Sequence, residues 1–214
     1  MSETVTYNKG NIAKYKTRNL LKRKLIERFD LRMLQLLKQI MSENRQMFSG
    51  KVLNLLDAGC GEGFIAEQIK QYFPKWDITG IDGAEEAVLF ARKYVKGVDF
   101  KVGNLYSLDC PDRAFDIVVC SEVLEHLDDP GKALKELNRV SKTALLLTVP
   151  HEPWFRLGNL LALHNISRLG DPVDHVNHWS FSEFQKFTRE LLTDFECKYE
   201  TSFPWSICLA VRRQ

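Results

Sequence analysis

The stretch "LLDAGCGEGF", residues 55–64, constrains the fold of this chain more than any other. It closes "KVLNLLDAG", an apolar run that is continuous rather than alternating, as expected of a strand buried on both faces. "FIAEQIKQYF" then reads as a helix. Gly59, Gly61 and Gly63 alternate in the turn between them. Glycine there lets the backbone adopt positive φ and approach a ligand closely, and the helix behind it offers free N–H groups. Asp57 ends the strand just before the glycines. Asp82 ends the next strand, "WDITGID", roughly 20 residues on, where an acidic residue meets ribose hydroxyls in nucleotide-binding folds. A tight turn with a helix-capping aspartate does not easily explain both acids. The spacing is D-x-G-x-G-x-G, which is not the dinucleotide fingerprint G-x-G-x-x-G.

The alternation continues downstream. "AEEAVLFARKYV" reads as a helix, "VDFKVGN" as a short strand, "AFDIVVCS" as a strand, "PGKALKELNRV" as a helix opened by proline, and "TALLLTVP" as a strand. Alternating strands and helices predict an α/β fold with a parallel sheet covered on both sides. The end differs. "SFSEFQKFTRELL" is a helix whose Ser180 and Glu183 have capping-box spacing. "FECKYETS" and "SICLAVRR" flank a turn at Pro204 and are expected to pair antiparallel. With 214 residues and no internal repeat, one domain is expected, with four parts: a helical cap over 1–48, a core over 49–150, a lid over 151–180 and a closing helix and strand pair over 181–214.

Charge is uneven. Residues 1–48 carry a net +7 and the remainder −5. The basic part overlaps "NLLKRKLIERFDLRMLQLLKQIM", whose leucines and isoleucines recur at helical spacing. Such a helix could touch a membrane surface, an anionic substrate or nucleic acid; a solvated outer face on a helix packed against the core is the preferred reading. No apolar run approaches the ~18 residues of a membrane span, and the N-terminus has no hydrophobic signal core, so a cytoplasmic protein is expected. Cys60, Cys110, Cys120, Cys197 and Cys208 form no C-x-x-C pair, which argues against a disulfide framework or a cysteine zinc site.

"SEVLEHLDDP" follows the fourth strand and holds Glu122, Glu125 and His126. In a helix these positions share one face, where they could hold a metal or supply a general base; they could also simply open the helix, favoured by its dipole.

The chain resembles the class I S-adenosylmethionine-dependent methyltransferases, and among them the small-molecule enzymes of the ubiquinone-biosynthesis type. The matching stretches are "LLDAGCGEG", "GIDGAEEAVLFAR", "GNLYSLDCPDRAFDIVVCSEVLEHLDDP" and "LNRVSKTALLLTVP", in that order. The resemblance implies a seven-stranded Rossmann-like sheet of order 3-2-1-4-5-7-6, the last strand antiparallel, with helices on both faces. It implies that Asp57, Gly59, Cys60 and Gly61 border the amino-acid end of S-adenosylmethionine. Asp82 would bind the ribose with Gly83 beside it, Asn104 and Leu105 would flank the adenine, and Ser121 and Glu122 would lie near the sulfonium. Many members carry aspartate at the position of Asn104; an amide can still donate or accept a hydrogen bond. A similar Glu-x-x-Glu-His stretch holds a divalent metal in some quinone O-methyltransferases and small-RNA 2′-O-methyltransferases, but the same wording is common in metal-free members. The expectation is therefore no metal, with His126 on the substrate side or acting as a base.

Residues 151–180 resemble the family least and hold four of the five histidines: His151, His164, His175 and His178. With Trp154, Phe155 and Trp179 they suggest a lid with aromatic walls. His151, Trp154, Phe155 and Trp179 are candidate substrate contacts, and His126, His175 and His178 candidate catalytic residues. The function expected is methyl transfer to a small-molecule acceptor. An RNA or tRNA methyltransferase, and a catalytically silent S-adenosylmethionine-binding partner protein, are the alternatives.

Overall fold

The strand runs assemble into one seven-stranded sheet of order β3-β2-β1-β4-β5-β7-β6. The structure, a computed structural model, describes residues 10–48, 50–161 and 168–213. In chain order the elements are α1 (Gly10–Tyr15), α2 (Leu20–Glu43), α3 (Arg45–Phe48), β1 (Asn54–Ala58), α4 (Phe64–Tyr72), β2 (Asp77–Asp82), α5 (Glu85–Tyr94), β3 (Asp99–Val102), β4 (Phe115–Ser121), α6 (Pro130–Val140), β5 (Ser141–Pro150), α7 (Trp154–Leu161), α8 (Phe181–Leu191), β6 (Phe195–Ser202) and β7 (Trp205–Arg212). β1 to β5 pair in parallel, and β7 runs antiparallel to both β5 and β6. The order and the antiparallel final strand match the expectation.

Period-2 geometry divides the apolar strands between two cores. All seven residues of β4 are buried. Its Ile117 and Val119 join the core beneath α2, α4 and α5, while Val118 and Cys120 join the one beneath α6 and α8. This two-sided burial is why the strand reads as a continuous apolar run.

The helices begin and end where side-chain chemistry places them. Asp129 caps α6 by accepting from the Lys132 N–H, with Pro130 in the first turn, and Ser180 and Glu183 form a full capping box at α8. The buried stripe of α2 is Ile26, Phe29, Met33, Leu36, Leu37 and Ile40, at the three- and four-residue spacing of one helix face. Arg23, Lys24, Arg28 and Lys38 are exposed, so much of the basic character of α2 is a solvated outer face. Arg32 holds Glu200 bidentately at 2.6 Å through Nε and 2.6 Å through Nη2, tying α2 to β6.

Two features depart from the sequence reading. "EVLEHL" is no amphipathic helix: only Leu124–His126 form a single 3₁₀ turn, and Glu122 precedes it with φ of 55°. The short helix α1 is not signalled by apolar periodicity at all. All five cysteines are free, and no helix among the described residues is long and apolar enough to cross a membrane.

Candidate functional site

The site gathers at the carboxyl ends of β1, β2 and β4, where open α/β sheets bind ligands. The turn after β1 is built as its glycines demand: Gly59, Gly61 and Gly63 have φ of 75°, 51° and 82°. A Cβ on Gly59 would collide with the Val123 side chain, so backbone is the only surface that fits there. The turn hangs on β2 through Gly59 N–H and Cys60 N–H, which both donate to the Ile81 carbonyl at 2.7 and 3.1 Å.

Asp82 holds the turn from the other side. One carboxylate oxygen accepts from Gly61 N–H at 2.8 Å and the other from Ala84 N–H at 2.8 Å. Asp57 is buried, with one oxygen lacking any partner. Burial, reinforced by the charge of Asp82, pushes its carboxyl up to about 7. Cys60 is buried beside both, and burial raises its thiol. Gly83 follows Asp82, and a Cβ there would meet only the Gly103 carbonyl at 3.7 Å. Asn104 is exposed and spends its side-chain oxygen on the Tyr106 N–H at 2.8 Å; Leu105 is buried in the core beneath α6.

At the end of β4, the Ser121 hydroxyl bonds Thr148 Oγ1 of β5 at 2.8 Å. Glu122 turns its carboxylate to two partners that sequence reasoning missed: Lys14 Nζ of α1 and Trp205 Nε1 at the start of β7. The Lys14 ammonium also lies 5.6 Å from the Phe29 ring centroid and 5.4 Å from that of Trp205. Tyr15 stacks on Phe64 at 4.6 Å and donates its hydroxyl to buried Asp30 at 3.3 Å. Lys14 and Tyr15 thereby roof a cleft also lined by Asp57, Gly59, Cys60, Phe64, Ser121 and Glu122 and holding about 20 Å³. A basic residue among eleven near the N-terminus gave no sequence signal of this place.

Glu125, His126 and His175 come together beside the cleft, and ligand atoms from the three lie within 4.8 Å of one another. The ring centroids of His126 and His175 are 4.8 Å apart, edge to face. Burial, with the neighbouring His126, lowers His175 to about 4, and burial raises Glu125 well above the carboxylate range. His178 is held apart by Asp171, 2.7 Å from its Nε2. Phe155 stacks on His175 at 5.7 Å and meets Trp205 edge-on at 6.5 Å. The other aromatics of this segment go elsewhere. Trp154 is 47% exposed, and Trp179 stacks on Phe187 of α8. His151 lies against Phe181 at 5.8 Å, its proton affinity lowered by burial. His164 lies outside the described residues.

Residues 56–146, from within β1 into β5, match the family described as a methyltransferase domain. Those residues carry a methyltransferase domain. It is 38% identical over 103 residues to an uncharacterized methyltransferase of Schizosaccharomyces pombe, a match covering 43% of this chain and 37% of that protein. Against the demethylmenaquinone methyltransferase of Thermotoga maritima it is 32% identical over 88 residues, 41% of this chain and 38% of that one. The matched part is thus well under half the length of these relatives. In fold, the magnesium protoporphyrin IX methyltransferase of Synechocystis PCC 6803, solved with bound S-adenosylmethionine, superposes with a TM-score of 0.65 at 16% identity, covering 97% of this chain and 93% of that one.

The turn after β1 has features that suit that cofactor, although Lys14 and Tyr15 leave only about 20 Å³ beside it. Gly59 is held at φ of 75° with Val123 packed where a Cβ would stand, so the turn keeps its shape only with glycine there. Asp57 keeps a buried oxygen without a partner. At the far end of the cleft the Glu122 carboxylate is paired with the Lys14 ammonium.

Proposed function

We propose that the protein transfers a methyl group from S-adenosylmethionine to an oxygen, nitrogen or carbon atom of a small-molecule acceptor by in-line displacement. The observation that carries this reading is the convergence of Asp57, Asp82 and Glu122 on one backbone cradle at the strands' carboxyl ends. Asp57, Gly59, Cys60 and Gly61 would hold the amino-acid end of the cofactor, Asp82 and Gly83 the ribose, Asn104 and Leu105 the adenine, and Ser121 and Glu122 the sulfonium side. Asp82 already orients the turn through two backbone N–H groups and retains lone pairs for hydroxyls. The cofactor supplies an activated methyl group. The chain's residues position the acceptor, exclude water and take up a proton where the acceptor is an oxygen.

A small acceptor is supported by the space available. A cavity of about 370 Å³ lies between α1 and α2, lined by Lys14, Tyr15, Asp30 and Gln68 among others, and shares Lys14 and Tyr15 with the cleft. That is the size of a small-ligand pocket. A relative named for demethylmenaquinone and a structural neighbour named for magnesium protoporphyrin IX point the same way. Residues 1–48 would act as cap and 151–180 as lid, with Phe155 nearest the acceptor and His151, Trp154 and Trp179 at its margins. His126, His175 and His178 are the candidate proton acceptors.

The test incubates the protein with methyl-labelled S-adenosylmethionine and, separately, metabolite extract and total RNA. Label in a low-mass product is expected. Label confined to RNA, on protein whose RNA retention weakens steeply with salt, would make it an RNA methyltransferase. No label anywhere, with the cofactor product still bound, would leave a silent binding protein.

A further inference from the structure

We propose that the cavity between α1 and α2 takes a small acceptor carrying a protonated amine, with the Asp30 carboxylate anchoring the ammonium. Calling that molecule the acceptor rests on the methyl-transfer reading; the binding of an amine there does not. The cavity holds about 370 Å³, the size of a small-ligand pocket. Charge around its wall does not balance. Two basic residues line it, Lys14 and Arg23, and two acids, Glu27 and Asp30. Lys14 is committed to Glu122, in an ion pair partly buried on both sides. Arg23 is committed to Glu27 at 3.4 Å, both side chains more than half exposed. Asp30 is different: it is 7% exposed, and among the described residues no lysine, arginine or histidine forms an ion pair with it.

The donors that Asp30 does have are neutral. The Tyr15 hydroxyl donates to Oδ1 at 3.3 Å and the Gln68 amide to Oδ2 at 2.8 Å. A carboxylate offers about four lone-pair sites, so roughly two remain. Burial raises the carboxyl above its usual range, with Gln68 acting the other way. A buried charge is costly when unpaired, and a cation at the wall removes that cost. An ammonium supplies both charge and donors. A hydroxyl would fill a lone pair and leave the charge unpaired, and a carboxylate would be repelled. Ile26, Leu31 and Leu34 give the cavity an apolar side for the body of such a molecule, and Leu31 is 51% exposed without one. The anchor is not the reacting centre. Asp30 lines this cavity and not the cleft with Asp57 and Gly59, whereas Lys14 and Tyr15 line both. Tyr15 spans the two, its ring on Phe64 of the cleft and its hydroxyl on Asp30. The ammonium therefore lies away from the cleft and fixes which end of the acceptor reaches the methyl group, which makes Asp30 a specificity residue.

The experiment titrates cofactor-free full chain, by ligand-observed NMR, with phenethylamine, phenethyl alcohol and phenylacetate, probes of similar size and different charge. The amine is expected to bind about 10-fold or more tightly than the alcohol, and the carboxylate not to bind. Asp30→Asn keeps the side-chain shape and should bring the amine down to the alcohol while leaving the alcohol unchanged; Glu27→Gln should keep the preference for the amine. Absence of saturable amine binding, equal binding of amine and alcohol by wild type, a preference that survives Asp30→Asn, or a loss of all probes together in that folded variant would overturn the proposal. Titration of the same sample with S-adenosylhomocysteine tests the methyl-transfer reading, so either can fail alone. With methyl-labelled cofactor and metabolite extract, the labelled product, once separated from unreacted cofactor, should be retained by cation exchange at neutral pH. A neutral or anionic labelled product would contradict the assignment.

Discussion

Asp57 and Asp82 show how two residues of one type divide their work. Asp82 spends both oxygens on backbone N–H groups of the glycine turn and the start of α5. Asp57 is buried with an unpartnered oxygen, and its carboxyl is raised from 3.8 to about 7. That shift has a consequence for stability. The folded state binds the Asp57 proton more tightly than the unfolded chain, so between about pH 4 and pH 7 folding takes up protons and stability falls as pH rises. In ligand-free protein, Asp57→Asn should match wild type near pH 4 and exceed it above pH 7 by a few kcal/mol at roughly 1.4 kcal/mol per unit. Urea unfolding at both pH values measures it; a gap that stays constant with pH would show that Asp57 titrates normally. The acids and glycines were legible in the sequence because their spacing follows the strand and turn that carry them. Lys14 and Trp205 were not, because a distant residue's approach to Glu122 leaves no local pattern.

The elements divide in the same way. Strands β1 to β5, α6 and α8 announce themselves through apolar periodicity, a proline at a helix start and a capping box. α1 has no such mark, since its place is set by tertiary contacts: the Lys14 ion pair to Glu122 and the Tyr15 stack on Phe64. The "EVLEHL" stretch misled for a related reason. Its i, i+3, i+4 spacing fits a helix, but Glu122 leaves β4 with positive φ and only one 3₁₀ turn follows, so Glu122 and Glu125 serve different neighbours. Lys14 and Tyr15 roof a cleft of about 20 Å³, so entry of a nucleoside is expected to require that α1 lifts. Lys14→Met removes an ion pair that is partly buried on both sides and holds α1 down, an interaction on the order of 1 kcal/mol. Stopped-flow fluorescence of Trp205 and its neighbours should show S-adenosylhomocysteine associating several-fold faster with the variant. An unchanged or slower association would mean that α1 does not gate the cleft.

For the whole molecule, the alternation of buried strands and amphipathic helices specifies a doubly covered sheet, and the final antiparallel pair follows from the short turn at Pro204. Residues 151–180 were legible only as a segment. The residues described there are shared out: Phe155 stacks on His175, Trp179 stacks on Phe187 of α8, and Trp154 is exposed. The central claim is that the cleft at the strands' carboxyl ends binds S-adenosylmethionine through the turn that Asp82 organises. Calorimetric titration with S-adenosylhomocysteine tests it most directly, on wild type and on folded Asp82→Ala, with NAD as the control ligand. The account predicts one equivalent bound by wild type, no binding of NAD, and about 10- to 100-fold weaker binding in the variant, from loss of charge-assisted hydrogen bonds. No heat with S-adenosylhomocysteine, or equal affinity in Asp82→Ala, would contradict it.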